Sequence, residues 1–128
     1  MTARSAVLDA SALLAFLFNE PGADSVAEVL GSASISTVNW AEVYQHAHRH
    51  GDMPRVRALL ERIGLEIAPL SAGDAELAGE LREPTRHLGL SLADRCCLAL
   101  AIRAGVPVLT ADSQWPRAEL GAEIVLIR

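Results

Sequence analysis

The sequence predicts an α/β domain: a central, mainly parallel sheet of about five strands flanked by helices. Three observations predict it. Short apolar runs of strand length alternate with stretches of helical periodicity along all 128 residues. Strands that alternate with helices or helix pairs lie parallel and are covered on both faces. Hydrophobic residues make up 51% of the chain and charged residues 21%, which suffices for a sizeable core and excludes a disordered polymer. With no internal repeat, linker or low-complexity tract, residues 1–128 read as one domain.

The elements follow in order. Ser5 to Leu8 is a short buried strand. Ala12 to Phe18 is apolar all round, a buried helix that ends at the turn signal Asn19-Glu-Pro-Gly22. Ala23 to Leu30 has helical spacing through Val26, Val29 and Leu30, and Gly31 stops it. Ala33 to Ser36 is a second strand, and Asn39 to His50 is a helix stopped by Gly51. Pro54 starts a helix that runs to Ile63, before Gly64. Leu65 to Pro69 alternates apolar and polar residues, as a third strand does. Ser71 and Asp74 have capping-box spacing for a helix through Leu81, which Pro84 breaks or kinks. Ser91 caps a long apolar helix through Ala104, stopped by Gly105. Val106 to Thr110 is the fourth strand, a short helix lies near Trp115, and Glu123 to Ile127 is the last strand.

Aromatic residues are only 4%, so Ala, Leu, Val and Ile must build the core. The net charge of −5 argues against tight, passive binding of nucleic acid, but not against a nuclease whose bound cations offset its acids. All eleven basic residues are Arg. The absence of Lys, and of any Gly-rich loop, excludes a Walker-type phosphate loop. Receiver domains and haloacid-dehalogenase-like phosphatases normally use a Lys as well. The latter also want an acid two residues beyond the first Asp, where this chain has Ser11. Cys96 and Cys97 are neighbours, point about 100° apart on a helix, and read as small core residues in a reducing compartment. The amino terminus lacks a secretion-signal pattern, and no apolar run reaches membrane-spanning length; the expectation is a cytoplasmic protein without a membrane partner.

Four carboxylates carry the chemistry: Asp9, Glu42, Asp94 and Asp112. Each sits where an apolar run meets a polar turn or the first turn of a helix. Acids at the ends of buried strands are poorly solvated and need a partner. If they converge at one sheet edge, a hard cation such as Mg²⁺ or Mn²⁺ suits the all-oxygen site. Beyond the carboxyl ends of parallel strands is where such folds bind ligands. Each acid also has a purely structural reading. Asp9 and Asp112 could be helix N-caps, and Glu42 after Asn39 and Asp94 after Ser91 have capping-box spacing.

The strings VLDASALLAFLFNEPGA, ISTVNWAEV, LSLADRCCLALA and PVLTADSQW, in that order, closely resemble PIN-domain ribonucleases of the VapC-like toxin group. The resemblance runs from Val7 to the terminal VLIR and is weakest from His46 to Arg86. It maps the family's acidic quartet onto Asp9, Glu42, Asp94 and Asp112. Ser11 matches a small hydroxyl position, and Thr110 the hydroxyl of a T-x-D turn. The resemblance implies an endoribonuclease dependent on Mg²⁺ or Mn²⁺, the toxin of a type II toxin–antitoxin pair. In it Asp9 and Asp94 would be direct ligands. Glu42 would ligate or act as general base, and Asp112 would complete the site. Ser11, Asn39 and Thr110 would support these by hydrogen bonds. The implied partners are RNA, a cognate antitoxin protein and a second copy of the chain. The alternatives are a housekeeping PIN nuclease for RNA processing or DNA, and a non-catalytic interaction module whose acids only cap helices.

Other polar residues divide between solvent and substrate. Arg82, Arg86 and Arg95, together with His46, are candidates for RNA contacts. Glu42, His46 and His50 share a helix face and could hold a transition metal, though a solvated helix end explains the histidines as well. Arg49, Arg55, Arg57 and Arg62 read as a solvated face, or otherwise as contacts to a partner or to RNA backbone. Trp40 and Trp115 could stack a base or pack in the core.

Overall fold

A computed structural model describes residues 4–115 and 120–128. Five strands, Ala6–Leu8 (β1), Ala33–Ser36 (β2), Glu66–Ala68 (β3), Val108–Thr110 (β4) and Ile124–Leu126 (β5), form one sheet in the order β3-β2-β1-β4-β5. Every pairing is parallel. The helices among the described residues are Ala10–Leu17 (α1), Ala23–Val29 (α2), Thr37–Arg49 (α3), Met53–Ile63 (α4), Ala72–Glu80 (α5), Arg82–Thr85 (α6) and Leu92–Ala104 (α7). No helix among them is long and apolar enough to cross a membrane.

Strand alternation builds a core on each face of the sheet. Ala6 and Leu8 of β1 and Ile35 of β2 face α1 to α4, where Leu13, Val26, Val43 and Val56 complete one cluster. Val7 and Val108 face the other way, onto Cys97, Leu98 and Ala101 of α7 and Ala78 of α5. Both cysteines are free and buried, as their apolar surroundings suggest. Trp115 packs into this second core at 1% exposure, so it is not a base-stacking platform.

The expected elements are present, with three local differences. Helix α3 starts at Thr37 rather than Asn39, because Ser36 takes the N-cap and accepts from the Val38 N–H at 3.2 Å. Asn39 is therefore inside the helix, and its side chain is released for other contacts. At α5, Ser71 Oγ accepts from Asp74 N at 3.0 Å, but the Asp74 carboxylate turns to Arg103 instead of closing a capping box. Pro84 lies within the one-turn α6 and does not end it. The short helix expected near Trp115 falls in part on residues 116–119, which lie outside the described residues.

Gly22 has φ +97° and lies under the last residues of the chain. A Cβ there would meet Ile127 O and Cγ1 at 2.7 Å, so only glycine lets the Asn19–Gly22 turn touch the terminal segment.

Candidate functional site

The chain runs from β1 outward to β2 and β3, then returns to place β4 on the other side of β1. The order thus reverses between β1 and β4, and a crevice opens at their carboxyl ends. Asp9 follows β1 directly and caps α1, accepting from Ala12 N at 2.8 Å through Oδ1. Ser11 Oγ donates to the same oxygen at 2.7 Å and accepts from Ala111 N at 2.9 Å. Thr110, at the end of β4, donates a close hydrogen bond to Asp9 Oδ2 and accepts from Asp112 N at 3.0 Å. These bonds lace the two strand ends together. Three donors occupy Asp9, so one of its roughly four lone-pair directions stays open, on Oδ2.

Asp9 is only 5% exposed. Burial pushes its carboxyl up from the usual range; hydrogen bonds from Thr110, Ser11 and Ala12 pull it back, and the Asp94 charge pushes it up further. The capping reading of Asp9 is therefore correct but incomplete. A neutral helix cap would not need a threonine and a serine from opposite sides of the switch point.

Helix α7 crosses beneath this edge. Its Cys97 thiol reaches toward Leu8 O at 3.8 Å, and Asn39 Nδ2 donates to Ala93 O at 3.1 Å, tying α3 to the start of α7. The Cys97 thiol is pushed well up, first by burial and then by the carboxylates of Asp9, Asp94 and Glu42. Hydrogen bonds bring the segments that carry three of the acids to this end of α7: Asn39 Nδ2 donates both to Glu42 and to Ala93 O, next to Asp94, and the Leu8 carbonyl that Cys97 approaches directly precedes Asp9. Asp94 is half-buried and forms the full capping box: Asp94 N donates to Ser91 Oγ at 3.1 Å, and Ser91 N to Asp94 Oδ2 at 2.9 Å. Glu42 is exposed and accepts from Asn39 Nδ2 at 3.1 Å. Asp112, also exposed, accepts from Gln114 N at 2.9 Å and joins the group through Thr110.

The donor set fits a hard divalent cation. It is all oxygen and net negative, and none of the four acids makes an ion pair among the described residues. Asn39 Oδ1 is buried with no hydrogen-bond partner there, an orphan acceptor at the seam between α3 and α7. Each acid is held by a local hydrogen bond, however. Among the described residues no three acidic, His or Cys side chains are drawn together closely enough to form a ready ligand cage.

The candidate RNA contacts fare unequally. His46 is exposed on α3, its ring edge-on to Phe18 at 5.2 Å. Arg82 and Arg86 are exposed, and Arg86 lies 3.9 Å from Glu83. Arg95 departs from expectation: it is 7% exposed and donates to Ala78 O at 2.9 Å, because its turn of α7 faces α5. A guanidinium spent inside the core offers nothing to a substrate. Gln45 carries no motif of its own in the sequence, and Arg49 reads there first as part of a solvated face. Both line a depression of about 370 Å³ with Glu42 and His46. Counting three, four and seven residues on from Glu42 would have found them on one helix face. A larger cleft, about 570 Å³, opens by the amino ends of the strands, away from the acids. Its charged groups are already satisfied: Arg103 by Asp74, Glu66 by Ser34, and Arg4 by the Gly31 and Gly64 carbonyls.

Comparison with known proteins agrees with this geometry. The family model described as PIN domain matches residues 6–120. No curated protein sequence matches. Among solved structures, a toxin-antitoxin complex from Klebsiella pneumoniae superposes with a TM-score of 0.80 at 24% identity, covering 97% of this chain and 98% of that one. DNA-bound VapBC from Salmonella typhimurium gives 0.76 at 16% identity, covering 98% and 99%. VapBC2 from Rickettsia felis, bound to a fragment of its promoter, gives 0.72 at 20% identity, covering 94% and 96%. At these identities the structures speak to the fold, and the matched family model to the lineage. The match spans both strand ends of the acidic crevice and the helix beneath it, and the chain belongs to the PIN domain family.

Proposed function

We propose that this chain is an endoribonuclease dependent on Mg²⁺ or Mn²⁺, acting as the toxin of a toxin–antitoxin pair. The observation that carries the proposal is the set of contacts that ties the segments bearing Asp9, Glu42 and Asp94 to the start of α7, at the switch point of a PIN domain. A bound Mg²⁺ or Mn²⁺ would supply positive charge at the phosphate and acidify a water molecule. Asp9 and Asp94 would hold the ion. Thr110, Ser11 and the Ala12 N–H keep Asp9 oriented and oppose the upward push that burial gives its carboxyl. Glu42, exposed and steered by Asn39, would ligate the ion as well or accept a proton as general base. Asp112 completes the acidic rim, and Arg82, Arg86 and His46 supply donors to RNA phosphates.

The toxin role draws support from the neighbouring structures, which were solved as toxin–antitoxin complexes. The antitoxin would be a short protein from an adjacent gene. A basic side chain on its tail would complement the acidic crevice, and the toxin would form a homodimer. The deciding experiment is RNA cleavage by purified protein with Mg²⁺ or Mn²⁺, followed by EDTA. Cleavage should stop with EDTA; full activity in EDTA rejects the metal mechanism. Expression alone should arrest growth, and co-expression with the adjacent gene should relieve it. Harmless expression of an active nuclease would favour the housekeeping reading. The complete capping box at Ser91 and Asp94 favours a second reading, a non-catalytic module, which any metal-dependent cleavage rejects.

A further inference from the structure

We infer that the depression beside Glu42, walled by Gln45, His46 and Arg49 of α3 and floored by Ala10 and Leu14 of α1, is a subsite for single-stranded RNA. In it Arg49 holds the phosphate of a nucleotide adjoining the cleaved bond. The inference rests on the nuclease reading and adds where the substrate goes after leaving the acids.

Glu42 and Arg49 stand seven residues apart on one face of α3, about 10 Å along the helix, too far to pair with each other. Gln45 and His46 fill the interval. Arg49 makes no ion pair among the described residues, and none of the three polar side chains makes a hydrogen bond there. Their donors are thus available to a ligand rich in acceptor oxygens. His46 is not loose: Phe18 packs edge-on to its ring at 5.2 Å, and the His50 ring lies at 4.6 Å. The floor is apolar, as the flat face of a base or ribose requires. A volume of about 370 Å³ falls in the small-ligand range, about 300–1,000 Å³. In a chain of net charge −5, the acid edge repels a polyanion. A guanidinium two turns away gives the strand one direction of approach.

The test is fluorescence anisotropy of a labelled single-stranded RNA of mixed sequence, with Mg²⁺, in the Asp94→Asn background. A gel on the same samples reads cleavage separately. Arg49→Ala should weaken binding about tenfold, and should flatten the log-affinity against log-salt slope by about 0.7. Gln45→Ala should weaken it about threefold. Arg62→Ala removes the same charge from α4, outside the depression, and should stay within about twofold of the parent. Parent-like binding by both α3 variants overturns the proposal, as does equal weakening by Arg62→Ala, or no RNA binding by the parent. Unchanged RNA affinity with weaker capture of the co-expressed antitoxin would assign the depression to that protein and also overturn it. Arg49-dependent binding in a wild-type chain that never cleaves RNA would retain the subsite and reject the nuclease reading. Cleavage indifferent to Arg49 and Gln45 would do the reverse.

Discussion

Thr110→Val removes a single oxygen from the joint between β1 and β4. That hydroxyl donates to Asp9 Oδ2 and accepts from Asp112 N at 3.0 Å. Valine has nearly the same shape, so no cavity opens and the effect isolates the hydrogen bonds. A bond to a charged acceptor contributes about 1.5–3 kcal/mol, and a neutral one about 0.5–1.5. Together they predict a loss of about 2–4 kcal/mol, or a melting point roughly 10 °C lower for a chain of this size. The loss should sit near the upper end. Burial already pushes the Asp9 carboxyl up, and the Thr110 hydrogen bond is the strongest influence opposing it. Thr110→Ser keeps the oxygen and loses one methyl, so it should cost only about 1 kcal/mol. Cleavage by the valine variant should fall about 10–100-fold, as when a group that orients a metal ligand is lost. Thermal melts by far-UV circular dichroism and initial cleavage rates in Mg²⁺ measure both effects. A valine variant that melts and cleaves like wild type would refute the account of Asp9. One that loses no more stability than the serine variant would show that the hydroxyl contributes no more than the methyl.

Asp94→Asn keeps an oxygen for the Ser91 N–H, so stability without metal should stay within about 1 kcal/mol of wild type. Cleavage should fall at least about 100-fold, and the Mg²⁺-induced rise in melting temperature should vanish, whereas wild type at ten times Kd gains about 1.4 kcal/mol. Asp74 is buried, its side chain 2% exposed, against an Arg103 side chain 53% exposed, and the Arg103 guanidinium holds its carboxyl below the usual range. A depressed folded-state pKa contributes stability above the unfolded value of about 3.9, and that stability is lost as pH falls through the folded value. The melting difference between wild type and Asp74→Asn, about 1–2 kcal/mol at about pH 6, should therefore shrink below about pH 4; a pH-independent difference would reject the ion pair. Gly22→Ala should lose about 2–3 kcal/mol in a denaturant titration, since a left-handed φ is combined with a Cβ that meets Ile127 O at 2.7 Å. A neutral result would mean that the terminal segment does not rest on this turn.

What the sequence by itself determined is local. Ser71 and Ser91 mark helix starts because a short hydroxyl side chain reaches an N–H three residues on, whatever the rest of the fold does. Asp9 and Asp112 are legible as strand-end residues because each follows a short apolar run directly. Where a side chain had two local options, the sequence could not choose. Asn39 stands three residues before Glu42, and capping spacing suited it; only the packing of α3 on α7 shows it within the helix, reaching Ala93. Arg95 and Arg103 are both arginines of α7, and neither string says that one enters the core while the other pairs with Asp74. The meeting of Asp9 with Thr110, 101 residues apart, depends on the strand order, which reverses beside β1. Local chemistry specifies which groups need a partner, and only the closing of the sheet decides which distant residue supplies it.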